Sequence, residues 1–238
     1  MMGKCIMSGI VPQLTVPFPR IKASDLAVGS IVKLMESDTA EDYLVVHQGL
    51  PSSIYDVSCD GTWLLRLNIN EQYPWGYSGR NDYSKSYLHT RLNDNFLPSM
   101  GAVEQATIKR VKIPYLDGGG NGTAKQGAEG LSTKVFLLSC PEVNFAVNDG
   151  EGAVLDYFSS CATSGADDKR IAYYNNRADD WYLRSPKINS YEYADYIYTD
   201  GSLDNSYYVT VEQGIRPALI LPGNAIFDAD TLLLKGVA

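Results

Sequence analysis

Residues 181–222 read WYLRSPKINSYEYADYIYTDGSLDNSYYVTVEQGIRPALILP. The two ends, Trp181 to Pro186 and Gly214 to Leu219, have the aromatic and aliphatic content of ordered strands, whereas the middle is dominated by Tyr, Asn, Ser and Asp. Nine of the chain's 17 tyrosines fall between Tyr173 and Tyr208. A buried strand would carry aliphatic residues, and a plain solvated loop would carry charge and glycine. Tyrosine mixed with Ser and Asn has another use: the ring supplies rigid amphipathic area at little entropic cost, and the small polar residues adapt their hydrogen bonds to a partner. The segment therefore predicts a recognition surface, folded as a hairpin about Asp200-Gly201. The competing reading is a two-sided sheet edge, because Tyr and Thr also favour strands.

Outward from this segment, composition bounds the classes of function. The chain has 238 residues, 45% hydrophobic and 20% charged, which suffices for one sizeable core without metals or disulfides as staples. A net charge of -8 argues against nucleic acid or an anionic membrane as the main partner, since both demand a basic face. No apolar run approaches a membrane span, and the N-terminus lacks a secretory pattern, so synthesis in the cytoplasm is expected. Cys5, Cys59, Cys140 and Cys161 show no CxxC pair and no histidine at metal-ligand spacing. Free thiols are expected, with a Cys59 to Cys161 disulfide as the minority alternative.

Along the chain, Pro12, Pro17 and Pro19 predict an extended arm over residues 1–22, able to dock a neighbouring subunit in a homo-oligomer. Residues 23–238 then form one domain. The stretches IKASDLAVGSIVKL and EDYLVVHQGL read as strands, with Asp25 to Gly29 supplying turn residues, and GTWLLRLNI reads as a further strand. YPWGYSGRNDYSKS reads as a long surface loop. In SKSYLHTRLNDNFLPSM the apolar residues recur at helical spacing, with Ser84 or Ser86 as cap and Pro98 as stop. GAVEQATIKRVKI predicts a second short helix running into a strand, and YLDGGGNGTAKQGAEGLS is the most loop-like stretch. KVFLLS reads as a buried strand and EGAVLDYFSS as a short helix. The tally is an α+β domain of short strands, two or three short helices and much loop.

Catalytic signatures are sparse. His47 and His89 occupy strand and helix positions where structural histidines are common, and no GxSxG elbow, P-loop or HExxH motif occurs. Gly118-Gly119-Gly120 lacks the lysine and helix start of a phosphate cradle. The acid pairs Asp167-Asp168 and Asp179-Asp180, and Asp204 near Asp200, lack calcium-loop spacing and read as solvated. The chain is expected to be no enzyme, with no catalytic residues, no metal and no cofactor.

The motifs YLVVHQGLPSSIYDVSCDGTWLLR, YLHTRLNDNFL, KVFLLSCPEV, WYLRSP and GIRPALILP, in this order from about Leu26 to Leu234, resemble the variable proteins of diversity-generating retroelements of gut Firmicutes and their phages. The resemblance implies a C-type-lectin-like fold of the formylglycine-generating-enzyme branch, similar to phage tropism determinants. It also implies a variable region of about 173–217 rewritten by adenine-directed mutagenesis. Asparagine codons so altered yield Tyr, Ser, Asp, His and Thr, of which all but His occur in this segment. On this reading Trp181, Leu183, Arg184, Gly214, Arg216 and Pro217 are scaffold. The ligand-facing set is Tyr182, Lys187, Asn189, Ser190, Tyr191, Tyr193, Asp195, Tyr196, Tyr198, Asp204, Asn205, Tyr207, Tyr208 and Thr210. Lys187, Glu192, Glu212 and Gln213 depart from the pattern because their codons end in a purine, and Tyr182 stands where relatives often carry Trp. The implied function is binding of a protein or glycan ligand on a cell surface, from a phage tail or prophage-encoded structure. The alternatives are an enzyme of the formylglycine-generating type, which needs a poised cysteine pair, and a purely structural virion subunit.

Overall fold

The computed structural model describes residues 18–238, with the side chains of Asn205 and Ser206 outside the description. The arm predicted from Pro12 and Pro17 therefore lies outside the described residues. Its last part does not hang free: Arg20–Lys22 pairs antiparallel with Ala225–Asp228, which pairs in turn with Leu234–Val237.

Two five-stranded sheets carry the domain, which is β-rich with short helical turns. The first runs Val135–Phe136, Ala218–Leu221, Gly61–Arg66, Thr39–Gly49, Ile31–Glu36. Its strands are rich in Val, Leu, Ile, Tyr and Trp because both faces are covered: Val45, Leu64 and Leu219 point into one core, and Leu44, Trp63, Leu65 and Ile220 into the other. The turn joining its first hairpin is Ser37-Asp38, both in the left-handed region, and not the expected Asp25 to Gly29.

The second sheet is ordered Leu203–Tyr208, Tyr193–Ile197, Trp181–Pro186, Glu212–Ile215, Glu71–Pro74. Its central feature is a parallel pairing in which Trp181 lies opposite Gly214, so the two ends of the tyrosine segment are neighbouring strands. Gly214 is required there, because a Cβ would sit 2.5 Å from the Asp180 carbonyl oxygen. Beyond Arg216-Pro217 the chain enters the first sheet as Ala218–Leu221, opposite Gly61–Arg66. The segment's C-terminal end thus ties one sheet to the other.

Between the sheets and over their ends pack the short helices. Tyr87–Arg91 starts with Ser86 as cap, its hydroxyl accepting from the His89 amide at 3.0 Å, and continues through a wider π-helical turn, Leu92–Phe96, to Leu97–Ser99. Ala102–Thr107 and Val111–Ile113 match the predicted helix and strand. Three expectations are corrected. The glycine-rich stretch forms a small hairpin, Tyr115–Asp117 with Thr123–Lys125, because its glycines supply the left-handed turn. EGAVLDYFSS contains only a single turn at Asp156–Phe158. In the supposed surface loop, Trp75, Asn81, Asp82 and Tyr83 are buried, and the Trp75 indole N–H donates to the Leu183 carbonyl at 2.9 Å. Among the described residues, no helix is long and apolar enough to cross a membrane.

Arg184 and Glu142 are both wholly buried and 2.6 Å apart. Every guanidinium donor is used: Nε to Pro114 O, Nη1 to Leu137 O and Glu142 Oε2, and Nη2 to Glu142 Oε1 and Glu151 O. Arg216 is buried too, but donates through Nε to the Arg66 carbonyl at 2.8 Å and lies over the Trp181 ring, while its Nη1 has no partner among the described residues. Burial without an acid lowers its pKa to about 10. Removing one member of a buried, hydrogen-bonded pair leaves an uncompensated charge, so Arg184→Ala is expected to lower unfolding stability by about 3–5 kcal/mol. Urea unfolding monitored by tryptophan fluorescence measures this, and an unshifted midpoint contradicts the role.

Candidate functional site

The segment leaves the fold as two projections. The first is a loop over residues 187–192; the second is the hairpin of Tyr193–Ile197 and Leu203–Tyr208, which turns at Asp200-Gly201 as predicted. The loop is held from below by backbone, not by its own side chains. Asn81 Nδ2 donates to the Tyr193 carbonyl at 2.8 Å, Asn81 Oδ1 accepts from the Gly120 amide at 3.1 Å, and the Asn189 amide donates to Gly120 O at 3.0 Å. A Cβ on Gly120 would lie 1.8 Å from the Lys187 carbonyl oxygen, so the glycine run serves close backbone approach. Sequence reasoning missed Asn81 and Gly120; the triple glycine was their one visible signal.

The predicted ligand-facing residues divide between surface and interior. Tyr191, Tyr208 and Tyr198 are 59%, 50% and 40% exposed. Asn189 and Thr210 are exposed, and Lys187, Ser190, Tyr193, Asp204 and Tyr207 are half-buried. Asn205 lies outside the described side chains. Three residues are corrected to interior positions. Tyr182 is wholly buried, and its hydroxyl donates towards the carbonyls of Val211 and Tyr208, at 2.9 and 3.1 Å, so it props the hairpin's open end. Tyr196 is buried with its ring edge-on to Tyr207 at 4.6 Å. Asp195 is buried beneath the hairpin.

The rings do not share one face. Tyr193 and Tyr208 are directly opposite in the pairing and stack at 4.6 Å, whereas one residue on, Ala194 and Tyr207 point into the core. Two residues on from Ala194, Tyr196 returns to that inner face, and the bulge falls on the partner strand, where three steps from Tyr207 to Asp204 oppose two from Ala194 to Tyr196. Beside the exposed rings an open depression of about 600 Å³ is lined by Gly79, Asn189, Ser190, Tyr191 and Glu192. The neighbouring 75–82 stretch adds Tyr77, which packs against Tyr87 at 5.4 Å and is covered by Arg80.

Under the hairpin lies a buried polar cluster. The Cys140 thiol donates to Asp195 Oδ2 at 3.1 Å, and the Asn148 amide reaches that oxygen at 3.5 Å and Glu151 Oε2 at 3.3 Å. Burial raises the carboxyls of both Asp195 and Glu151 to about 7. Burial also pushes the thiols up, Cys161 to about 11, Cys59 to about 12 and Cys140 well above its usual value. These three cysteines are free. Trp181, Leu183, Arg184, Gly214, Arg216 and Pro217, the scaffold residues, are all buried. Among the described residues, no group of three or more His, Cys, Asp or Glu side chains is placed to hold a metal. His47 Nδ1 lies 2.8 Å from Asp156 Oδ2, and His89 packs edge-on to Tyr83.

The chain matches the family described as a domain of unknown function (DUF6273) over residues 60–223, well over half its length, and belongs to that family. No curated protein and no solved structure matches it.

Two outcomes are expected from this geometry. Gly120→Ala must displace the Lys187 backbone, so amide resonances from residue 187 to 191 shift while those of the first sheet stay in place; unchanged loop resonances contradict the anchoring. The second concerns pH. In the folded state Asp195 and Glu151 hold protons that the unfolded chain releases near pH 4, so their contribution to stability falls as pH rises from about 4 and levels off above about 7. Each accounts for about 2–4 kcal/mol across that window. Urea titrations at pH 5 and pH 8 should show Asp195→Asn gaining stability relative to the parent at the higher pH; an identical difference at both contradicts the assignment.

Proposed function

We propose that this protein is a binding module whose residues 187–210 contact a protein or glycan ligand. The observation that carries this reading is the contrast between frame and contents. The two ends of the segment are buried and paired with each other, Trp181 opposite Gly214, while the chain between them presents Tyr191, Tyr198 and Tyr208 to solvent. Aromatic anchors set on a rigid support supply binding energy at small ordering cost, because the frame is already fixed before the ligand arrives.

The finer reading follows the resemblance: a variable protein of a diversity-generating retroelement, with a C-type-lectin-like fold, on a phage tail or prophage-encoded structure. It is supported by where the codon-pattern residues fall. Asn189, Tyr191, Tyr208 and Thr210 are exposed, and the scaffold set is buried. Asp195 and Tyr196 narrow the diversifiable set, since their side chains belong to the interior. The formylglycine-type alternative requires a reactive cysteine, and thiols raised by burial are poor nucleophiles.

Two measurements test this. The gene's neighbourhood should hold a near-copy of the codons for about residues 173–217 beside a reverse transcriptase, differing mainly at adenines; without it the diversification reading falls. A Tyr191→Ser, Tyr198→Ser, Tyr208→Ser triple variant should melt within about 4 °C of the parent, since exposed rings contribute little to folding. Tyr196→Ser alone should cost about 3–5 kcal/mol. A triple variant that unfolds overturns the surface role of these rings.

A further inference from the structure

Beneath the hairpin, a cavity of about 120 Å³ is lined by Val147, Asn148, Lys187, Ile188, Asp195 and Leu203. Small-molecule sites run to about 300–1,000 Å³, so this space suits one side chain, not a whole metabolite. Its walls are aliphatic, and two of them, Val147 and Ile188, stand exposed at the rim. Its floor is a carboxylate: Asp195 is only 3% exposed yet lines the cavity. Oxygen Oδ2 is occupied by the Cys140 thiol and the Asn148 amide. Among the described side chains, nothing donates to Oδ1. The nearest cation, Lys187, is drawn aside, its Nζ lying 5.1 Å from the centre of the Tyr193 ring.

We propose that this cavity is an anchor site for a primary ammonium on an aliphatic stem, the end of a lysine side chain presented by a protein ligand. The proposal rests on the recognition reading above and names its ligand chemistry. A buried carboxylate without a cationic partner is costly, and an entering ammonium offsets that cost. Valine, isoleucine and leucine walls match a methylene stem that keeps its charged head at the polar end. A guanidinium fits worse, because its fork needs two free carboxylate oxygens and one is taken. The charged and titratable groups around Asp195 are Cys140 below it, Glu151 across Asn148, Lys187 at the rim and Asp204 on the paired strand. Burial holds the Asp195 carboxyl near 7, so an ammonium binds only the ionised fraction and its arrival releases a proton.

The test titrates n-butylammonium chloride into the isotope-labelled full chain and follows the methyl signals of Val147, Ile188 and Leu203. Saturable shifts are expected, with 1-butanol at least tenfold weaker. The amine's affinity should rise about tenfold from pH 6 to pH 8 as the competent ionised fraction grows. Asp195→Asn, which should match the parent's melting temperature at pH 5, is expected to bind the amine at least tenfold more weakly. Equal binding of butanol and butylammonium, equal binding by Asp195→Asn, or no response of the three methyl-bearing residues overturns the proposal. Such a failure leaves the recognition reading standing, because that reading depends on the retroelement template and the exposed tyrosines. Loss of the template, conversely, does not alter the amine titration.

Discussion

Arg184 carries a charge into the interior and uses all five guanidinium donors there. The acceptors come from Pro114, Leu137, Glu142 and Glu151, positions spread over the middle third of the chain, so one side chain holds several loop segments against the Trp181–Pro186 strand. Glu142 has further duties: it accepts from the Tyr55 hydroxyl at 2.8 Å and from the Ser139 amide at 2.9 Å. The Tyr55 hydroxyl in turn accepts from the Ala153 amide at 2.9 Å. In a domain with so much irregular backbone, this network does what a larger uninterrupted core would do elsewhere. A partly satisfied version of it would cost more than an apolar core. The second arginine of the frame, Arg216, shows the contrast: it is also buried, but among the described residues it leans on the Arg66 carbonyl and an indole face.

The position of the tyrosine segment follows from this anchoring. Arg184 fixes the strand that opens the segment, Trp181 pairs that strand with the one that closes it, and Gly214 lets the two approach. The Asn81 side chain and the Gly120 backbone then seat the 187–192 loop by contacts to its main chain and that of Tyr193. Because those contacts do not involve the loop's side chains, they are insensitive to which side chains the loop carries. The same arrangement leaves the carboxyls of Asp195 and Glu151 beneath the hairpin without the direct ion pair that Glu142 makes with Arg184 among the described residues, a local cost carried by the rest of the fold.

Much of the frame was legible in the sequence. Trp181-Tyr182-Leu183-Arg184 and Ala218-Leu219-Ile220-Leu221 read as ordered strands, Asp200-Gly201 announces the turn, and Ser84 or Ser86 announces the helix start. What could not be read was which side of a strand faces inward. Alternation separates two sets of residues but assigns neither to the core, and here the first sheet and the inner strands of the second are covered on both faces, so Tyr182 and Tyr196 look no different from Tyr191 until packed. Asp195 was misplaced for the same reason, since its partners Cys140 and Asn148 lie some fifty positions away in the chain. The bulge in Leu203–Tyr208 also shifts the alternation of that strand by one residue, which no local pattern in LDNSYY signals. The role of Gly120 was hidden because its contact is with distant backbone, and a glycine run looks the same whether it is a hinge or a seat.

The parallel pairing of Trp181 with Gly214 has a consequence for how the segment can change. Its two ends are clamped side by side by residues that belong to the frame, so the chain between them behaves as a closed loop whose cost of closure is set by length and hardly at all by content. That cost grows only logarithmically, by about 0.6 kcal/mol for each doubling of a flexible loop. Insertions and deletions in the hairpin arms should therefore be nearly as tolerable as substitutions, and evolution of this surface has depth and reach to explore as well as chemistry.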